Sequence, residues 1–214
     1  MTRQTIVGMG AFPDPALVDY ALGFARGRRV LVDITANPQI PPLPDWDAEL
    51  DRFSFWPWPP ENLRELALSH DAILVCGGNT ANMLAVWRLH GFDRILREAW
   101  ESGVVLFGWS AGMICWFEAG VTDSFGPKLS GMRDGLGFLP GSACPHYDGE
   151  DLRRPKYREL VAGGFPGGVA LDDAAAARFD GSELVEVVSS AAGARGYRVG
   201  SGGEEELETR LLSA

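Results

Sequence analysis

The pentapeptide Gly108-Trp109-Ser110-Ala111-Gly112 constrains the fold of this chain more than any other stretch. Val104-Val105-Leu106-Phe107 before it reads as a short buried strand. Met113-Ile114-Cys115-Trp116-Phe117 after it reads as a buried helix that Gly120 ends. Strand, tight turn and helix form the setting in which G-x-S-x-G becomes a nucleophile elbow. The turn pushes the serine out of both elements, and glycine on either side avoids a clash with the bent backbone. A serine that only caps the next helix does not need both glycines. The pattern therefore predicts Ser110 as the nucleophile of a covalent hydrolase or acyl-transfer enzyme.

The apolar pattern alternates between strand and helix along the chain. Strands are expected at residues 5–8, 30–34 and 72–76, and helices at 15–24, 61–68, 82–90 and 93–101. Gly91 and Gly103 stand as C-terminal stops. Residues 36–60 are rich in proline and tryptophan, with a short helix expected at 45–52 and a strand at 53–56. Continuous apolar strands between helices indicate an α/β fold, mainly a parallel sheet with helices on both faces. Beyond residue 165 come a strand at 168–171, a C-terminal β hairpin at 176–179 and 184–188 turning on Asp180-Gly181, and an edge strand at 196–199. The tail from about residue 200 is Gly- and Glu-rich and is expected to be poorly ordered at its end. A length of 214 residues fits one domain, 1–214.

Composition narrows the partners. A net charge of -10 argues against nucleic acid or an anionic membrane surface. The longest apolar runs are too short to span a bilayer, and Met1-Thr2-Arg3-Gln4 does not open a signal peptide. Cys76, Cys115 and Cys144 read as reduced thiols of a cytoplasmic protein. His70, His90 and His146 lie far apart, so no metal site is expected. The seven tryptophans read mostly as core, with Trp109 also placed to line a pocket.

A serine nucleophile needs a base and an orienting acid. His146 is the one histidine downstream of Ser110, in a loop set by Pro145. Asp172 and Asp173 follow the strand at 168–171, and neighbouring strand residues point to opposite sides. Asp173 is favoured over Asp172 as the acid, and Asp148 and Glu150 are weaker alternatives. The backbone N–H of Ala111 and that of Gly78, in the turn Gly77-Gly78-Asn79-Thr80, would hold the oxyanion, with Thr80 capping the next helix. A competing signal, Gly8-Met9-Gly10 with Asp33 after the second strand, resembles a dinucleotide fingerprint but has Pro13 at the third glycine position.

Cys76-Gly77-Gly78-Asn79-Thr80, Gly108-Trp109-Ser110-Ala111-Gly112 and Pro145-His146, in this order, resemble the peptidase E (aspartyl dipeptidase) family of serine peptidases. The resemblance implies a flavodoxin-like fold similar to class I glutamine amidotransferases, with serine in place of cysteine. It implies a Ser-His-acid triad, no metal, no cofactor, a short peptide substrate cleaved near its N-terminus, and a small homo-oligomer. The family's glutamate falls on Asp173. Asn79 and Thr80 would contact the substrate. Arg153, beside Arg154 and Arg158, matches the arginine that holds a substrate aspartate in the family. Two rivals stand beside this reading: another serine hydrolase, an esterase or a cyanophycinase-like enzyme, and a non-catalytic binding domain on the same fold. An α/β-hydrolase esterase would run serine, acid, histidine, whereas His146 comes early.

Overall fold

The computed structural model describes residues 3–213; Met1 and Thr2, from the stretch read against a signal peptide, and Ala214 lie outside the described residues. In chain order the elements are β1 (Thr5–Met9), α1 (Pro15–Leu22), β2 (Arg29–Asp33), β3 (Glu49–Phe53), α2 (Leu63–Leu68), β4 (Ala72–Val75), α3 (Thr80–His90), α4 (Phe92–Glu101), β5 (Val105–Trp109) and α5 (Ala111–Ile114). They continue with β6 (Phe117–Thr122), β7 (Ser130–Met132), β8 (Leu139–Cys144), α6 (Arg153–Ala162), β9 (Gly168–Leu171), β10 (Ala175–Asp180), β11 (Glu183–Ser189), β12 (Gly196–Gly200), β13 (Gly203–Leu207) and β14 (Thr209–Leu211).

An eight-stranded sheet runs β14-β11-β10-β1-β5-β4-β2-β3. Its five strands from β1 to β3 are parallel, so their C-terminal ends share one edge. The hairpin of β10 and β11 extends the sheet antiparallel to β1. Side chains alternate across it as the pleat requires. Ile6, Leu31, Ile73 and Leu106 enter one apolar cluster with Met83, Leu84, Trp87, Phe92, Leu96 and Trp100 of α3 and α4. Val7, Met9, Val30, Val32, Leu74, Val105 and Phe107 enter the other, with Leu17, Val18 and Ala21 of α1. Both faces are covered, which is why these strands read as unbroken apolar runs.

Several expectations are corrected. The helix after Ser110 is a short stub, α5, and the apolar residues from Phe117 onward form β6; Gly120 lies inside that strand. Apolar continuity alone does not separate a buried strand from a buried helix. Residues 45–52 hold no helix; β3 ends at Phe53 and pairs with β2. The tail is paired as far as Leu211, β13 with β12 and β14 with β11, where poor order was expected; its last residue, Ala214, lies outside the described residues. The strand at 196–199 is interior, lying between β9 and β13. A second sheet, β13-β12-β9-β8-β6-β7, escaped the sequence reading as a layer of its own. It buries Tyr147, Tyr157, Val161 and Tyr197 in a third cluster with α6. Among the described residues no helix is long and apolar enough to cross a membrane.

The fold also explains Asp33. Its side chain is fully buried and accepts from the Thr35 N–H (2.8 Å), the Thr35 hydroxyl and Trp87 Nε1 (2.7 Å). Burial pushes its carboxyl from 3.8 up to about 6, against these bonds, which hold it down. Across that window the folded chain binds more protons than the unfolded one, so stability falls as pH rises from about 4 to about 6. The full shift corresponds to about 3 kcal/mol. Urea titrations of wild type and Asp33→Asn over this range should show wild type losing stability relative to the variant as pH rises. A pH-independent difference would contradict the account.

Candidate active site

Ser110 stands where β5 passes into α5, at the shared C-terminal edge. Its backbone has φ 54 and ψ -111, the strained turn that G-x-S-x-G predicts. The glycines answer to packing. A Cβ on Gly108 would lie 2.4 Å from the Val75 carbonyl oxygen, and one on Gly112 would lie 2.0 Å from the same atom. The end of β4 therefore presses against both sides of the serine turn, and only hydrogen fits.

Two consecutive carbonyls at the end of β1 bring the site together. The Ser110 N–H donates to Met9 O at 3.3 Å, and the His146 N–H donates to Gly10 O at 3.2 Å. His146 lies just beyond β8 and also has a positive φ of 54. Its Nδ1 stands 2.9 Å from Asp173 Oδ1. Asp173 is held from behind: its N–H donates to Asp148 Oδ1 at 2.8 Å, and Gly149 packs so tightly that a Cβ there would lie 2.1 Å from its carboxylate. Asp148 thus supports Asp173 and does not contact the imidazole.

Asp172 faces away. Its Oδ2 accepts from the Arg195 N–H at 2.8 Å, and it is almost fully buried. Burial pushes its carboxyl up to about 6. The alternation expected of strand neighbours thus separates the two aspartates. Glu150 is drawn to Arg153, with Arg153 Nε donating at 2.7 Å.

The turn after β4 lies against Ser110. A Cβ on Gly77 would lie 3.2 Å from Ser110 Cβ. Gly78 is exposed and has φ +144, and a side chain there would meet the Ala36 carbonyl oxygen at 2.3 Å. Ala111 is the first residue of α5, where helical N–H groups have no intrahelical acceptor. Among the described residues neither the Gly78 nor the Ala111 N–H has an acceptor.

Three expectations change here. Asn79, not Thr80, caps α3: its side chain accepts from the Asn82 N–H at 2.9 Å and donates to Ser124 O at 3.0 Å. Thr80 is buried as the first helical residue. Arg153 is buried too, its guanidinium spent on Glu150 and on the Val121 carbonyl at 3.0 Å. It sits on α6 as an internal anchor, its side chain only 4% exposed and so turned away from a substrate in solvent. The dinucleotide reading also fails. A Cβ on Gly10 would lie 2.0 Å from Asp172 O, so that glycine serves packing, and Asp33 is sealed in the core. Cys76, Cys115 and Cys144 are free and buried, and burial pushes each thiol up. Among the described residues no group of side chains is arranged to hold a metal.

The whole architecture matches solved peptidases. A Listeria monocytogenes EGD-e protein named peptidase E superimposes with a TM-score of 0.64 at 16% identity, over 97% of this chain and 100% of the other. A peptidase from an acI-B1 Actinobacterium gives 0.68 at 15% identity, over 97% and 95%. At that identity the likeness shows the fold, the mixed α/β arrangement of the peptidase E structures. Family membership comes from sequence. The profile of Peptidase family S51 matches residues 42–187, and this chain belongs to that family of serine-type peptidases. The uncharacterized peptidase YgaJ of Bacillus subtilis (strain 168) is 53% identical over 142 residues, covering 66% of this chain and 61% of that protein. The matched region thus spans about three fifths of that relative's length.

Proposed function

We propose that the chain hydrolyses short peptides through Ser110, His146 and Asp173, by way of an acyl-enzyme. The observation that carries this reading is the His146–Asp173 contact at 2.9 Å, beside a strained Ser110 anchored to the same end of β1. The Asp173 carboxylate fixes the Nδ1–H tautomer, so Nε2 is the basic nitrogen left for the serine proton. Ser110 Oγ attacks the scissile carbonyl carbon as Nε2 takes its proton. The Gly78 and Ala111 N–H groups stabilise the oxyanion. The protonated imidazole then gives its proton to the leaving amine, and water, activated by the same nitrogen, releases the acid. No step uses a metal or cofactor. Asn79 shapes the oxyanion turn through its cap. Asp-X specificity loses its support, because Arg153 is internally bonded.

A fluorophosphonate probe tests the nucleophile. Fluoride leaves as Ser110 Oγ bonds to phosphorus, and intact mass and peptide mapping should place one adduct on Ser110. A chain that stays unlabelled under conditions that modify a control serine hydrolase would overturn the reading and favour a binding domain.

A further inference from the structure

Two of the seven tryptophans are not taken by the core. Trp56 and Trp58 are 78% and 81% exposed. They follow β3, the outermost of the parallel strands, at the same C-terminal edge as Ser110 but three strands from β5, a separation of about 14 Å at the usual strand spacing. With Phe55, Pro57 and Pro59 they line an open groove of about 460 Å³. Of all its lining residues, His90 is the one able to carry charge, and its ring stacks on Phe55 at 4.8 Å.

Two chain connections tie this groove to the site. Thr35 and Pro38 line it, and between them lies Ala36, whose carbonyl receives the Asn79 N–H at 2.9 Å and braces Gly78. Val86 and His90 also line it, from α3, the helix that starts immediately after the Gly77-Gly78-Asn79 turn. The rise from Thr80 to Val86 is about 9 Å, which two to three extended peptide residues span. On the other flank of Ser110, Phe12 is half-exposed and packs edge-on against Trp109 at 5.1 Å.

We propose that the Trp56–Trp58 groove is the side-chain subsite of this peptidase and takes a bulky apolar or aromatic residue of the substrate within about four residues of the scissile bond. This rests on the peptidase reading of Ser110 above. Indole and proline faces offer flat apolar area, a substrate ammonium would lose hydration there without a partner, and His90, its ring stacked on Phe55, is the single lining group able to meet a carboxylate.

The test compares fluorogenic tetrapeptides that differ in one residue near the cleaved bond, carrying Phe, Leu, Gly or Asp. Wild type should give kcat/KM for Phe and Leu at least about ten-fold above Gly, with Asp no better than Gly. The double variant Trp56→Ala/Trp58→Ala should bring Phe and Leu down to the Gly rate while leaving the Gly peptide unchanged. A preference for Asp, or a Phe-to-Gly ratio that survives the double variant, would overturn the proposal. A second arm measures binding of the Phe peptide to Ser110→Ala by equilibrium dialysis; binding should be lost when both tryptophans are replaced. Fluorophosphonate labelling separates the two readings. A labelled chain without tryptophan dependence fails the subsite alone, whereas an unlabelled, inactive chain fails the peptidase reading while dialysis still judges the groove.

Discussion

Ser110→Ala should lower kcat for peptide hydrolysis by about 10⁴- to 10⁶-fold, measured on any peptide that wild type cleaves. The size follows from the chemistry assigned to Oγ. Without it there is no acyl-enzyme, and the oxyanion donors and the bound geometry supply only the residual rate. The variant isolates this chemistry because the backbone stays as it is. Alanine and serine carry the same Cβ, so the positive φ of 54 costs each about the same. The turn is fixed by Gly108, Gly112 and the Ser110 N–H bond to Met9 O, none of which involves the hydroxyl. The unfolding midpoint should therefore stay close to wild type. Turnover within about ten-fold of wild type would remove Ser110 from the chemistry and return the site to the rival readings.

What the residues disclosed, and what they withheld, follows from how far apart the interacting groups lie. The serine turn was legible because G-x-S-x-G encodes a local backbone demand, and the strands flanking it carry continuous apolar runs. That Asp172 and Asp173 would face opposite ways also follows locally, from the alternation of side chains after β9, whereas which of them meets His146 does not. Arg153 was misplaced for the opposite reason. Its partners, Glu150 and the Val121 carbonyl, come from a neighbouring turn and from β6, and an arginine near a histidine gives no local sign of which way it points. The second sheet was hidden because β6 to β9 are short or glycine-interrupted, and their pairing is set by contacts distant in sequence. The paired tail belongs here as well: the Glu-rich residues of β13 are held by pairing with β12, which no local pattern announces. Asn79 took the cap expected of Thr80 because the helix begins at Thr80, two residues before the 82–90 span that its apolar spacing indicates.

The second large effect separates two adjacent carboxylates. Asp173→Asn should reduce kcat by about 10²- to 10⁴-fold, while Asp172→Asn should stay within about ten-fold of wild type. An amide at 173 can present its NH₂ to His146 Nδ1, which stabilises the tautomer whose Nε2 carries the proton and cannot accept one from Ser110. The amide also cannot stabilise the imidazolium as a carboxylate does. The lower end of the range reflects exposure: the Asp173 side chain is 45% open to solvent, so water replaces part of the lost interaction. Asp172 lies beside it in sequence but faces the Arg195 N–H, and burial already disfavours its charged form. An asparagine oxygen can accept that same N–H. Asp172→Asn therefore changes little at His146, and its effect should appear in folding stability rather than in kcat. The decisive readout is the ratio of the two kcat values on one peptide. A larger loss in Asp172→Asn than in Asp173→Asn would reverse the assignment, since the contact at 2.9 Å would then not be the one that orients the base.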